Sequence, residues 1–369
     1  MTIPTFPFTG VVGNDMVKKG LLAAMVSPNV TGVLIRGGTG TAKTTLVRGM
    51  TGLVPGMEVV NLPLNVTEEQ MTGGLDLEAA LIEGKVHNFQ GLLRRAHGHI
   101  LYADEINLLP EKMVHLMTQD RSAPRGMDGG HGEDVPFIMI GTMDPEEGDL
   151  SPHLMDRFDI IVDVPTTSDL GSRKEILRRG MEFIMDPSGL CRQFSAEEGR
   201  LRKQIIEARD LLRYVSLSPG HAETIAQLVH DLGVEGSRGE IAVARTSMAL
   251  TALDGREEVT VDDIKVAASL CLGHRRRISR EENGKNETDL GDDPAGGSAD
   301  SEPVEAKTGE GKGSATFGPS APDRVLPIGK GPELTEMFAQ DQGPVRSRKY
   351  LDGKRYRVIS ETGKGRYIA

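Results

Sequence analysis

Five short, nearly continuous apolar runs punctuate the first part of the chain: Gly32–Arg36, Glu58–Leu62, His99–Ala103, Pro136–Gly141 and Asp159–Asp163. Between them the apolar positions recur at helical spacing. Runs of this length without polar alternation predict strands buried on both faces, the pattern of a parallel sheet covered by helices. From Ser168 to Leu272 the period turns helical throughout. Leu201, Ile205, Ala208, Leu211 and Leu212 share a face, as do Ile225, Leu228 and Val229. Val259-Thr-Val-Asp-Asp263 reads as the capped start of a last helix, with Thr260 as N-cap and Asp262 and Asp263 in its positively polarised first turn. The pattern predicts an α/β domain over residues 1–165 and a helical domain over 166–280, with no internal repeat.

Beyond Arg277 the texture changes. Glu281 to Asp323 carries eleven acidic residues against three basic ones, a net charge of −8, with almost nothing apolar to bury. Gly, Ser, Ala and Pro fill the remainder, the composition of a disordered acidic linker, placed at 281–344. From Val345 to Ala369 the sign reverses, with eight Lys/Arg against two acids, a basic C-terminal tail. The 369-residue chain as a whole has a net charge of −11, which argues against nucleic acid as a main partner because phosphate binding needs a basic face. With no Trp, 5 Tyr and 9 Phe, it offers few platforms for stacking bases or sugars. No apolar run approaches the ~18 residues of a membrane span. The N-terminus also lacks a charged-then-apolar leader. Cys191 and Cys271 lie far apart in sequence, which suits a reducing cytosol and argues against a cysteine-based zinc site. The expectation is a cytoplasmic protein without membrane insertion.

Candidate chemistry begins directly after the first strand. Gly37, Gly38, Thr39, Gly40, Thr41, Ala42, Lys43, Thr44 and Thr45 connect that strand to a predicted helix running from Thr44 to Met50. Glycines let successive backbone N–H groups converge on an anion, and the helix N-terminus adds its partial positive charge. Lys43 is placed to reach the β- and γ-phosphates of a nucleotide, and the Thr44 hydroxyl to ligate Mg²⁺. The pattern G-x-x-x-x-G-K-[ST] has Ala42 where its last glycine belongs. Alanine disfavours a positive φ, so the loop works with Ala42 if that backbone is already helical.

About sixty residues on, Ile100-Leu-Tyr-Ala-Asp-Glu105 is an apolar strand ending in two acids. The strands of a parallel sheet all open on one edge, which brings Asp104 and Glu105 to the same place as the loop. Asp104 is the candidate Mg²⁺ ligand and Glu105 the group that orients and polarises an attacking water, since phosphoryl transfer needs positioning and charge stabilisation. The next strand ends in Gly141-Thr-Met-Asp144, where Asp144 either bonds the lytic water or caps the following turn. Arg157, in Leu154-Met-Asp-Arg-Phe158, either pairs with Asp156 or reaches a neighbouring subunit's γ-phosphate. Arg238, in Gly236-Ser-Arg-Gly-Glu240, either makes a surface ion pair or reports the nucleotide to the helical domain. His87, His97 and His99 straddle a helix end and a strand start and read as surface or packing residues rather than as metal ligands.

These stretches, in this order, resemble the AAA+ ATPases, and more narrowly the ATPase subunits of magnesium and cobalt chelatases. Phe6-Pro-Phe-Thr-Gly-Val-Val-Gly13, Leu62-Pro-Leu-Asn-Val-Thr-Glu68, Gly74-Leu-Asp-Leu-Glu-Ala-Ala80, Gly91-Leu-Leu-Arg-Arg-Ala-His97 and Leu101-Tyr-Ala-Asp-Glu-Ile-Asn-Leu-Leu109 are similar to that family's segments. So are Met143-Asp-Pro-Glu-Glu-Gly-Asp-Leu150, Leu154–Phe158 and Gly236–Gly239. The resemblance runs from about residue 6 to Arg277. It implies a P-loop fold with a small α-helical lid, and ATP and Mg²⁺ as cofactors. It makes Lys43 and Thr44 the phosphate-loop pair, Asp104 and Glu105 the Walker B pair, Asp144 sensor one, Arg157 a finger acting in trans and Arg238 sensor two. It further implies an oligomeric ring, homomeric or mixed, whose ATP hydrolysis drives metal insertion into a tetrapyrrole on a separate large porphyrin-binding subunit.

The sequence departs from the family at several points. Asp144 stands where the family usually has Asn, and an ionised Asp there would repel the γ-phosphate. The long insertion of the I-type subunits is missing between Leu53 and Leu62. The acidic linker and the ending Gly363-Lys-Gly-Arg-Tyr-Ile368 resemble a D-type subunit just before its integrin-like metal-binding domain, which is therefore expected on another polypeptide. Magnesium chelatase leads the reading. A cobaltochelatase ATPase, a MoxR-type AAA+ chaperone with a partner bearing that integrin-like domain, and a non-hydrolysing nucleotide-binding scaffold are the alternatives. Arg125-Gly-Met-Asp-Gly-Gly-His131 is expected to tip a hairpin that contacts a partner or to be a loop without a role.

Overall fold

A computed structural model of the chain describes residues 4–76, 87–119, 136–165 and 167–275. The Arg125–His131 stretch, the acidic linker and the basic tail lie outside the described residues. All five apolar runs form strands: β1 (Val33–Arg36), β2 (Val59–Leu62), β5 (Ile100–Ala103), β6 (Ile138–Met143) and β7 (Ile160–Asp163). They make one parallel sheet in the order β2-β5-β6-β1-β7. Central β5 and β6 are buried at every residue, whereas edge strand β2 turns Asn61 to solvent. That difference is what burial on two faces against one requires.

A second, two-stranded antiparallel sheet pairs β3 (Gly73–Asp76) with β4 (His87–Gln90). No apolar run announces it. Its closure depends on Gly91, where an added Cβ would lie 2.3 Å from the Gly73 nitrogen and from the Met71 carbonyl oxygen. Only a residue without a side chain lets the two backbones pass that closely.

One face of the large sheet carries a core that includes Leu34, Leu101, Val114, Met139 and Phe158. On the other face, helix Asp15–Val26 is buried along most of its length. It packs against β1 and β7 and against helices Pro187–Leu211 and Arg238–Leu253. Gly20 marks the junction: a Cβ there would meet Ile160 and Val162 of β7 and Leu270 of helix Val261–Cys271. The helical region thus joins the core of the α/β part. The last helix begins as its sequence predicts, with Thr260 and Asp263 exchanging bonds in a capping box.

Candidate phosphate-binding site

The phosphate loop leaves β1 at the C-terminal edge of the sheet and enters helix Lys43–Gly49. Gly40 has φ 79°, and Ala42 has φ 66° and ψ 21°, both left-handed. The condition under which alanine fits this position without strain, a right-handed helical backbone, is therefore not met. The loop turns at this residue, and the alanine Cβ is held in a conformation that costs about 1–2 kcal/mol. Lys43 Nζ donates to the carbonyl oxygens of Gly37 and of Gly38, the latter at 2.9 Å, which keeps the ammonium within the loop.

Parallel pairing of β5 and β6 sets Ala103 against Gly141, so Asp104, just past the end of β5, comes beside Thr142 near the end of β6. Thr142 Oγ1 donates to Asp104 Oδ1 at 2.5 Å, and the Thr44 hydroxyl lies 3.4 Å from Asp104 Oδ2. Tyr102, two residues before Asp104 and so on the same side of the strand, donates to Thr44 Oγ1 at 3.1 Å. Burial, aided by the Asp104 charge, pushes the Tyr102 phenol up to about 12, so it remains a donor at neutral pH. Glu105 takes a left-handed backbone, φ 53°, and its N–H points at Thr142 Oγ1 at 3.4 Å. Tyr102 and Thr142 belong to no motif that the sequence displays by itself. The two-residue period back from Asp104 and the hydroxyl inside Gly141–Asp144 were the available signals.

Asp144 does more than cap a turn. Its Oδ1 accepts the Glu146 N–H at 3.0 Å, and its Oδ2 accepts the Thr39 hydroxyl at 3.2 Å, tying β6 to the phosphate loop. The Glu146 N–H foremost, then the Thr39 hydroxyl and the charge of Lys43, hold its carboxyl below the usual carboxylate range against the opposing effect of burial. Asp144 is therefore ionised at neutral pH.

These groups share one cavity of about 330 Å³, lined by Thr39–Thr45, Asp104, Glu105, Thr142, Met143, Asp144 and Glu147. Four carboxylates face one lysine. A polyphosphate enters such a space only with a cation to offset the acids, and Thr44 and Asp104 supply the hard oxygen donors that Mg²⁺ prefers. On the other side of the same loop lies a second cavity of about 440 Å³, whose walls include Val11, Val12, Asn14, Ile176 and Arg179. Asn14 Nδ2 donates to the Thr41 carbonyl at 3.2 Å, and Arg179 Nη1 to the Gly10 carbonyl at 2.8 Å, so the N-terminal segment is tied to both the loop and helix Leu170–Met185. No role was assigned to these residues from the sequence, because the loop and two distant segments meet only in the fold.

Arg157 and Arg238 line neither cavity. Arg157 sits just before β7, at the opposite sheet edge, with its Nε buried and without a hydrogen-bond partner among the described residues and its Nη2 3.4 Å from His153 Nε2. It does not pair with Asp156. That carboxylate instead receives Arg238 Nη1 at 2.7 Å and Arg275 Nε at 2.9 Å. Burial would raise the Asp156 pKa, but the two arginines overcome it and hold the group below its usual range. Two of the histidines are placed: His97 stacks on Phe137 at 6.1 Å between ring centres, and His99 Nδ1 accepts the Glu58 N–H at 3.2 Å.

Comparison with known proteins places the chain's domains and family. Residues 32–158 match the AAA domain (dynein-related subfamily), and residues 222–294 match the AAA lid domain. A magnesium-chelatase subunit ChlI homolog of Methanocaldococcus jannaschii is 36% identical over 312 residues, covering 74% of this chain and 86% of that protein. The magnesium-chelatase 38 kDa subunit of Acidiphilium rubrum is 35% identical over 314 residues, covering 74% of this chain and 91% of its own length. A solved structure from Cytophaga hutchinsonii, 21% identical, superposes with a TM-score of 0.55 over 75% of this chain and 87% of that one, a likeness of fold. With the phosphate loop, the acid pair and the lid in their places and relatives matched over most of their length, the chain belongs to the magnesium-chelatase family of AAA+ ATPases.

Proposed function

We propose that the chain is an ATP-hydrolysing motor subunit of a metal chelatase, working in a ring and driving magnesium insertion into a tetrapyrrole on a separate large subunit. The observation that carries the reading is the cavity in which one lysine and four carboxylates surround the phosphate loop. Lys43 binds the β- and γ-phosphates, and Thr44 and Asp104 hold Mg²⁺, which neutralises phosphate charge when bound. Thr142 and Tyr102 keep those two ligands in position through their hydroxyls. Glu105 orients the attacking water. The apolar cavity beside Val11 and Ile176 receives the base. Arg157 serves the site of a neighbouring copy, a reading supported by its place outside the lining of its own cavity and by its Nε, unpartnered among the described residues, while Arg238, paired with Asp156, relays the nucleotide state to the helical domain. We place the boundary between nucleotide and lid domains at 165/166, between the two matched family segments. A subunit bearing an integrin-like metal-binding domain is the partner this reading expects.

A second reading, a scaffold that binds ATP without turning it over, is favoured by one observation: Asp144 is ionised and faces the phosphate loop. Steady-state ATPase activity against protein concentration separates the two. The motor predicts a rate per subunit that climbs steeply and then levels, and loss of turnover with retained ATP binding in Glu105→Gln. ATP bound without turnover at every concentration would establish the scaffold, and a rate per subunit independent of concentration would remove shared sites.

A further inference from the structure

A cavity of about 810 Å³ lies at the sheet edge opposite the phosphate loop, between the segments that lead into the strands and helices Pro187–Leu211 and Arg238–Leu253. Met25, Met57 and Met248 give it apolar walls, and Arg209, Arg213 and Arg245 line it with Asp210 as the one acid. These guanidinium groups are poorly matched. Arg213 Nη2 is 3.4 Å from Asp210 Oδ1, and Arg245 Nη1 is 3.9 Å from Asp159 Oδ2, which already accepts the Thr31 N–H at 2.7 Å. Arg209 has no carboxylate partner among the described residues; its Nε donates to the Met25 carbonyl at 2.8 Å. Burial pulls its pKa down, the mark of a cation that has lost water and gained no counter-charge. A space of this kind favours a guest bearing several carboxylates and a single apolar side chain.

We propose that this cavity docks the chain's own acidic stretch, with Leu290 inserted among the methionines and Asp289, Asp292 and Asp293 set against the three arginines. Asp289-Leu-Gly-Asp-Asp293 places one apolar residue among three acids, complementary in charge to the cavity. The reach is sufficient. Arg275 is held at the same sheet edge, its Nε 2.9 Å from Asp156 Oδ1 and its Nη2 2.9 Å from the Phe158 carbonyl oxygen. From Arg275 to Asp289 the chain can extend roughly 45 Å. A five-stranded sheet is only about 20 Å wide at its usual strand spacing.

Hydrogen exchange on the full chain tests the docking. Amides of residues 287–293 should exchange about tenfold more slowly in the wild type than in Arg213→Glu, and the protection should shrink as salt rises. Arg213 is exposed, so its replacement leaves the core intact, which the unchanged protection of β5 and β6 would verify. Adding Asp292→Arg to Arg213→Glu should restore part of the protection by reversing the pair. Rapid exchange of 287–293 in the wild type, or protection indifferent to Arg213→Glu and to salt, overturns the proposal. So does protection that disappears on dilution, which would put the stretch on a second copy.

Discussion

Asn14, Ala42 and Glu105 are the non-glycine residues with left-handed backbone among the described residues, and all three border the phosphate loop. Asparagine tolerates that region through its short polar side chain; alanine and glutamate do not. The strain is placed where the chain must turn N–H groups and an acid toward one point. Ala42→Gly should therefore stabilise the fold by about 0.5–1 kcal/mol, the relief of the left-handed Cβ less the added freedom of the unfolded chain. Urea unfolding with an unchanged m-value measures it; a lower midpoint would mean that the Ala42 methyl contributes packing that outweighs its strain. The loop's identity was legible in nine consecutive residues. The handedness of Ala42 was not, because φ at that position is set by how β1 and the following helix are held apart. Asp144 has the same history: its position was readable, but its bond to Thr39 exists only because β6 and the loop are neighbours in space.

Among the elements, the five strands of the parallel sheet begin within two residues of where the apolar runs predict them. Dense apolar runs bounded by turn residues have one favourable fate, burial between helices. The β3–β4 pair escaped because Gly73, Gly74 and the polar His87-Asn88 carry little β signal, and their pairing is decided by the close passage at Gly91. The last helix shows a start legible at two levels. Its Thr260 N-cap and first-turn acids are readable from the sequence, but Arg256 and Thr251 also bond the Asp263 carboxylate, Arg256 Nη2 at 2.6 Å. Burial pushes the Asp263 pKa up, yet the Arg256 and Thr260 bonds prevail and bring it to about 2. Its contribution to stability is therefore present above the unfolded carboxylate value near 3.9 and is lost as pH falls toward 2. Asp263→Asn should cost roughly 2–3 kcal/mol at pH 7 and progressively less over that acid window. Unfolding midpoints at pH 7 and below pH 4 test this; an equal loss at both would assign the effect to cap geometry rather than charge.

At the scale of the molecule, the acids and the lysine gather on one sheet edge while Arg157, Arg238, Arg275 and Asp156 gather on the other. A single copy does not bring the two clusters together. If Arg157 completes a neighbour's site, Arg157→Ala and Glu105→Gln subunits should each be inactive alone and regain ATPase activity when mixed, because some interfaces then combine an intact finger with an intact acid pair. Mixed samples that stay inactive would make Arg157 a structural residue of the β7 entrance. The sequence by itself determined the fold class, the phosphate loop, the acid pair and the cap of the last helix, because each is written in adjacent residues whose local chemistry has one outcome. Tertiary structure alone decided the hydroxyl network around Asp104, the apolar cavity beside the loop and the sharing of Asp156 by two arginines. The same holds for the arginine-lined cavity at the far edge. Those features join residues from separate segments, and only the packing of helices on a parallel sheet sets which of them meet.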